Sequence, residues 1–95
     1  MSGWDGSKGR HGMIALDRIL PTRSVSVDLL SGERFRLVAG SIAEIGMIEP
    51  LVVMPVRTAG RAPLRYRLID GHFRHAVLRT LGEHRVRCLI VRADR

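Results

Sequence analysis

Residues 68–82, LIDGHFRHAVLRTLG, decide the fold. The stretch opens on an apolar run that starts at Tyr66 and closes on Gly82, after a pattern that reads as a helix over 73–81. Between the two lies Asp70-Gly71-His72-Phe73-Arg74-His75. A strand-to-helix turn with glycine in it lets backbone amides approach a ligand, because no Cβ stands in the way. The first amides of a helix have no intrahelical acceptor and carry partial positive charge, so the junction is an anion site. The phosphate-binding residues expected here are Gly71, His72, Phe73, Arg74 and His75, with Arg74 as a bidentate clamp and the two histidines as donors of a hydrogen bond or a proton.

Basic residues at a helix N-terminus oppose the macrodipole by a few tenths of a kcal/mol, roughly, unless an anion joins them. Local rules tend to be broken where function requires it. Asp70 has two readings: it caps the helix and holds the turn, or it binds a divalent metal that accompanies a nucleotide.

Upstream, LVVMPV (51–56) is short, β-branched and apolar on both alternating faces, the mark of a buried strand. RTAGRAPLR (57–65) is a polar loop whose Arg57, Arg61 and Arg65 are candidate nucleic-acid contacts. Apolar residues at 35, 38, 42 and 45 share one helical face; Ser31 suits the N-cap, Glu33 the first turn and Gly46 the left-handed end. Glu49, just before Pro50, either pairs with an arginine or faces the Gly71 turn as a catalytic group. MIALDRIL (13–20) reads as a half-buried first strand stopped by Pro21, and VRCLIV (86–91) as the last. The expected class is therefore α/β (α+β), one small domain with a mixed sheet of about four strands and two main helices.

Residues 1–12 hold four glycines and no aliphatic side chain except Met1, so they form a flexible arm ahead of a domain over 13–95. No apolar run approaches the roughly 20 residues of a membrane helix, and no signal core opens the chain, which leads us to expect a soluble, cytoplasmic protein. The lone Cys88 sits in an apolar run as a small buried side chain. Net charge is +7, and fifteen of the sixteen basic residues are arginine. Guanidinium pairs bidentately with phosphate or carboxylate, so the charge suits an anionic partner; a compositional arginine bias over a solvated surface explains it equally.

With SIAEIGMIEPLVV (41–53), a turn, YRLIDGHFRHAVLRTLG (66–82) and VRCLIV (86–91) set out in that order, the chain resembles the ParB-like N-terminal domain of the ParB/sulfiredoxin superfamily. The resemblance covers about residues 13–92. It implies a small α/β domain that binds a nucleoside triphosphate, CTP or ATP with Mg2+, on the Gly71–Arg74 turn, with residues 41–50 as the neighbouring wall. It also implies work in plasmid or chromosome partition or mobile-element regulation, electrostatic DNA association, and a homodimer or partner protein.

The usual partition motif is Gly-Glu-Arg-Arg; here the middle positions are His72 and Phe73. The Asp-Gly-His-x-Arg form is closer to the serine-kinase and plasmid RepB-like branches. Sulfiredoxins place a catalytic cysteine where this chain has His72, while Cys88 lies in the last strand, so that activity is set aside. The enzymatic alternative is a stand-alone phosphotransferase or nuclease, with His72 or His75 as acid/base, Asp70 on a metal and Glu49 as a second catalytic group.

Overall fold

The computed structural model describes residues 9–26, 31–46, 49–56 and 64–92. Its elements are β1 (Arg10–Ala15), a short 3-10 helix (Leu16–Arg18), β2 (Ile19–Leu20), α1 (Glu33–Ile45), β3 (Leu51–Val56), β4 (Arg65–Asp70), α2 (His72–Thr80) and β5 (Arg85–Ile90). One mixed sheet of five strands has the order β1-β5-β3-β4-β2. β1 runs antiparallel to β5, β5 parallel to β3, β3 antiparallel to β4, and β4 parallel to β2.

The α+β class with two main helices stands, and the strand count is five rather than about four. The difference arises at residues 13–20, expected as one strand. Leu16 is buried and its amide donates to the His84 carbonyl at 2.8 Å, while Asp17 and Arg18 face solvent. That turn ends β1 on one edge of the sheet and sends the chain to β2 on the other. β1 also starts at Arg10, inside the stretch expected as a flexible arm, and its first residues pair with β5: Arg10 with Ile90, His11 with Leu89, Gly12 with Cys88.

β3 is central, and the alternation of its side chains sorts the apolar residues onto two faces. Leu51 and Val53 join Ile14, Leu16, Ile19, Tyr66, Leu68, Leu78, Val86, Cys88 and Ile90 in the main core. Val52 faces the other way with Leu89 and Val91, backed by Met54 and Ile69. Pro55 is tolerated because β5 pairs only with Leu51–Val53, so the missing amide falls beyond that ladder.

Both helices end as their sequences suggest. Gly46 has φ 82° and donates to the Ile42 carbonyl at 2.9 Å. Gly82 has φ 77°; its amide reaches Arg79 O at 3.1 Å and that of Glu83 reaches Leu78 O at 3.1 Å, the paired bonds of a Schellman end. The start of α1 differs from expectation. Gly32, in extended conformation, is the N-cap in place of Ser31, and Arg36 N–H closes the first turn on its carbonyl at 3.2 Å. α1 buries no residue fully; it rests on the core through Ile42 and leaves Leu37 and Ile45 exposed. No helix among the described residues is long and apolar enough to cross a membrane.

Candidate functional site

The junction of β4 and α2 is built by three local features. First, the β3–β4 register slips by one between Val52↔Asp70 and Val53↔Leu68, so Ile69 has no opposite residue and the end of β4 is re-aimed. Second, Gly71 is the N-cap of α2 with φ 100° and ψ 29°, a region that L side chains rarely enter. A Cβ there would also lie 2.8 Å from Leu51 Cδ2, in the middle of the core. Third, the helix starts at once: His75 N–H makes the first i→i−4 bond, to Gly71 O at 2.8 Å. The amides of His72, Phe73 and Arg74 therefore precede any intrahelical acceptor and carry the positive end of the dipole.

These residues line a recess of about 240 Å³ with Asp70, Arg34 and Val38. Arg34 stacks over the Phe73 ring, 4.7 Å from guanidinium carbon to centroid, which holds the α1 cation beside the turn. Arg74, one-third exposed, pairs with Glu49: Nη2 to Oε1 is 3.1 Å. A carboxylate thus sits on the guanidinium that the turn would offer to a phosphate. α2 has no acidic residue in its first turn, so Glu49 supplies from outside the negative charge that the dipole and Arg74 both favour.

The wall facing the turn comes from Arg34 and Val38, extended by Leu37 and Ser41 against Arg74. Of residues 41–50, expected as the neighbouring wall, Ser41 and Glu49 meet Arg74, residues 47 and 48 lie outside the described residues, and Arg34, Leu37 and Val38 of α1 add to the wall. The signal was present in the sequence, since 34, 38 and 41 recur at helical spacing, but nothing local showed which stripe of α1 would face α2.

His72 is tied to a segment fifty residues away. Thr22 N–H donates to His72 Nε2 at 3.3 Å, and Thr22 Oγ1 lies 2.9 Å from the same nitrogen and 3.2 Å from Leu68 O. In the tautomer that accepts the amide, Nε2 is bare and Nδ1 carries the proton. Burial lowers the His72 pKa from 6.5, helped by the charge of Arg23 and opposed by Asp70. His72 is thus a neutral ring at neutral pH, able to take a proton.

His75 parts from the group. It is 3% exposed and lines a different, larger cavity with residues 21–25. Burial lowers its pKa first, then the charges of Arg79 and His72, against a hydrogen bond to the Ile19 backbone. Its Nε2 is buried without a hydrogen-bond partner. An unmet buried polar atom of this kind costs about 1–3 kcal/mol.

Asp70 is not the N-cap of α2; Gly71 holds that position, with no side-chain cap hydrogen bond. Among the described residues no group of three or more His, Cys, Asp or Glu is placed to hold a metal, so Asp70 alone faces the recess as an acid. That suits Mg2+ only in the form in which phosphates supply the other ligands. Arg65 lies on β4, away from the turn, with Nη1 3.5 Å from Asp17 O. Arg57 and Arg61 lie outside the described residues. Cys88 is fully buried, and burial pushes its thiol up to about 11.

Comparison with solved structures gives the same fold. Sulfiredoxin from Arabidopsis thaliana superposes with a TM-score of 0.64 at 23% identity, covering 88% of this chain and 86% of that one. The C-terminally truncated chromosome-partitioning protein ParB from Caulobacter crescentus, complexed with CTP-gamma-S, gives 0.67 at 21% identity over 90% of this chain and 46% of that one. A free serine kinase variant in complex with AMP gives 0.64 at 24% identity over 88% of this chain and 32% of that one. The chain thus spans most of the sulfiredoxin and less than half of the other two. Comparison with curated protein sequences gives no match. The family model of the ParB N-terminal domain matches residues 4–95, and the chain belongs to that family.

Proposed function

We propose that this chain is a nucleotide-binding module of ParB type, in which the recess at Gly71–Arg74 takes the phosphates of CTP or ATP. The observation that carries the reading is the recess itself: three amides ahead of the first helical bond, with Arg34 and Arg74 beside them. The relatives add support, since one ParB was solved with CTP-gamma-S and one serine kinase with AMP. Entering phosphates would displace Glu49 from Arg74 and draw Mg2+ to Asp70. The setting we propose is cytoplasmic, in partition or mobile-element regulation. The net charge of +7 would add salt-sensitive DNA association, with Arg57, Arg61 and Arg65 as contacts and with little sequence preference.

The test is a titration of CTP, ATP and GTP with and without magnesium, followed by thermal stability. Ligand at about 100 times its Kd should stabilise the fold by roughly 2.7 kcal/mol, and Arg74→Ala should remove the shift. No shift with any nucleotide overturns the reading.

An enzymatic reading is favoured by one observation, the neutral His72 ring held at the edge of the phosphate recess. As a phosphotransferase or nuclease the domain would use His72 as proton acceptor. Nucleotide turnover that disappears in His72→Ala while binding persists would support it.

A further inference from the structure

β1 and β2 form the two edges of the sheet, and they differ. β2 is two residues long and runs into Pro21, which has no amide to offer, so that edge is blunt. β1 runs for six residues, Arg10–Ala15. One bond fixes the phase of its ladder: Leu16 N–H donates to His84 O at 2.8 Å, in register with Ile14↔Val86 and Gly12↔Cys88. Hydrogen-bonded and non-bonded pairs alternate in an antiparallel ladder. The even-numbered residues therefore turn their main-chain groups to β5, while His11, Met13 and Ala15 turn theirs away from it. No strand among the described residues pairs with that side.

Two features stand beside the open edge. Arg85 and Arg87 are exposed and lie across from Ala15 and Met13 on the same face of the sheet. Arg85 reaches over β1, its Nη2 3.4 Å from Met13 O, so a guanidinium stands at the edge itself. A carbonyl oxygen has two lone pairs, which leaves one for an incoming amide. The second feature is a groove of about 330 Å³ that Met13 shares with Ile42, Leu78 and Val86, with Arg85 and Arg87 also in its lining. Glu83 is the one acid among the described residues that line it.

We infer that the outer side of β1 is a docking edge for an extended acidic segment of another protein. The segment adds a strand to the sheet, sets alternate carboxylates on Arg85 and Arg87, and lays the apolar residues between them into the groove. Unpaired main-chain groups at an edge supply the affinity of such an addition, and alternate side chains supply the selectivity. Charge decides the partner. Pairing β1 with β1 of a second copy would bring two sets of Arg10, Arg85 and Arg87 together on chains that each carry +7, whereas carboxylates meet the same guanidiniums favourably. The edge shares no residue with the phosphate recess and does not depend on nucleotide binding.

A peptide of alternating glutamate and valine, blocked at both ends, is the probe. In hydrogen exchange of the full chain, saturating peptide should slow the amides of His11, Met13 and Ala15 most, while those of Gly12 and Ile14, already bonded to β5, change less. Fluorescence polarisation of the labelled peptide gives the affinity. Arg85→Glu combined with Arg87→Glu should weaken binding by at least about tenfold, the scale of two lost charge-assisted hydrogen bonds. Both side chains are exposed, and an unchanged thermal midpoint would show that the double variant is folded. The same peptide N-methylated at alternate residues keeps its charge, loses its edge amides and should not bind; a lysine–valine peptide should not bind either. Absence of protection at His11, Met13 and Ala15, or equal binding by the double variant, the N-methylated peptide or the lysine peptide, would each overturn the inference. So would protection of these amides that rises with protein concentration alone, which would assign the edge to a second copy, or tighter binding of a single-stranded oligonucleotide of equal charge, which would assign the arginines to nucleic acid.

Discussion

Arg74 Nη2 lies 3.1 Å from Glu49 Oε1, which bridges the start of α2 to the segment that leads into β3. Glu49 is largely exposed, so the pair contributes at most about 1 kcal/mol to stability. On the proposed nucleotide reading its larger effect would be competition, since phosphates entering the recess would have to take Arg74 from it. Glu49→Gln should therefore tighten nucleotide binding several-fold while the unfolding free energy stays nearly unchanged. Calorimetric titration beside urea denaturation separates the two effects, and weaker binding in the variant would contradict the competition.

Gly71 and Gly40 should respond to alanine in opposite directions. At Gly71 the positive φ and the 2.8 Å approach to Leu51 Cδ2 add backbone strain to overpacking, together about 2–5 kcal/mol of lost stability. At Gly40, inside α1, a Cβ meets nothing within 4 Å, and the gain in helix propensity should stabilise by about 0.5–1 kcal/mol. Urea unfolding of the two variants measures both.

Acid should destabilise the fold through its histidines. The pKa values of His72 and His75 are both lowered from 6.5 in the folded chain, so above that pH both states hold neutral rings and nothing is contributed. As pH falls below 6.5 the unfolded chain takes up protons that the folded chain refuses, and stability drops until the folded pKa values are passed. Burial is the largest cause of both shifts; at His72 the charge of Arg23 adds to it and Asp70 opposes it, and at His75 the charges of Arg79 and His72 add to it and the Ile19 backbone opposes it. Replacing both rings, His72→Asn with His75→Asn, should flatten the slope of unfolding free energy against pH in the acid window. An unchanged slope would show that carboxylates alone govern it.

Cys88 should be inert in the folded protein. Burial raises its thiol to about 11, so almost no thiolate exists at pH 8, and the sulfur is covered on all sides. A thiol reagent such as Ellman's should give no fast colour from the native chain and one thiol per chain in guanidinium chloride. Rapid native labelling would contradict the packing of β5.

The elements were legible wherever a local rule settled them. The β4–Gly71–α2 junction follows from an apolar run, a glycine and helical spacing, and Gly46 and Gly82 end helices because positive φ suits them. The first strand was misjudged for the opposite reason. Nothing local in MIALDRIL reveals that Leu16 turns into the core and that its amide reaches His84, sixty-eight residues on. Arg34 was missed in the same way: its place over Phe73 depends on how α1 lies against α2.

The sequence by itself determined the periodicities, the turn glycines and the excess of cations near Gly71, because each depends on residues within a few positions of one another. Only the tertiary structure decided who meets whom. It set Glu49 on Arg74 and Thr22 on His72, and it placed His75 in a second cavity rather than with the Gly71 turn. One turn of helix between positions 72 and 75, together with the path of residues 21–25, made that separation, and the path was fixed by packing across the sheet rather than by any neighbouring residue.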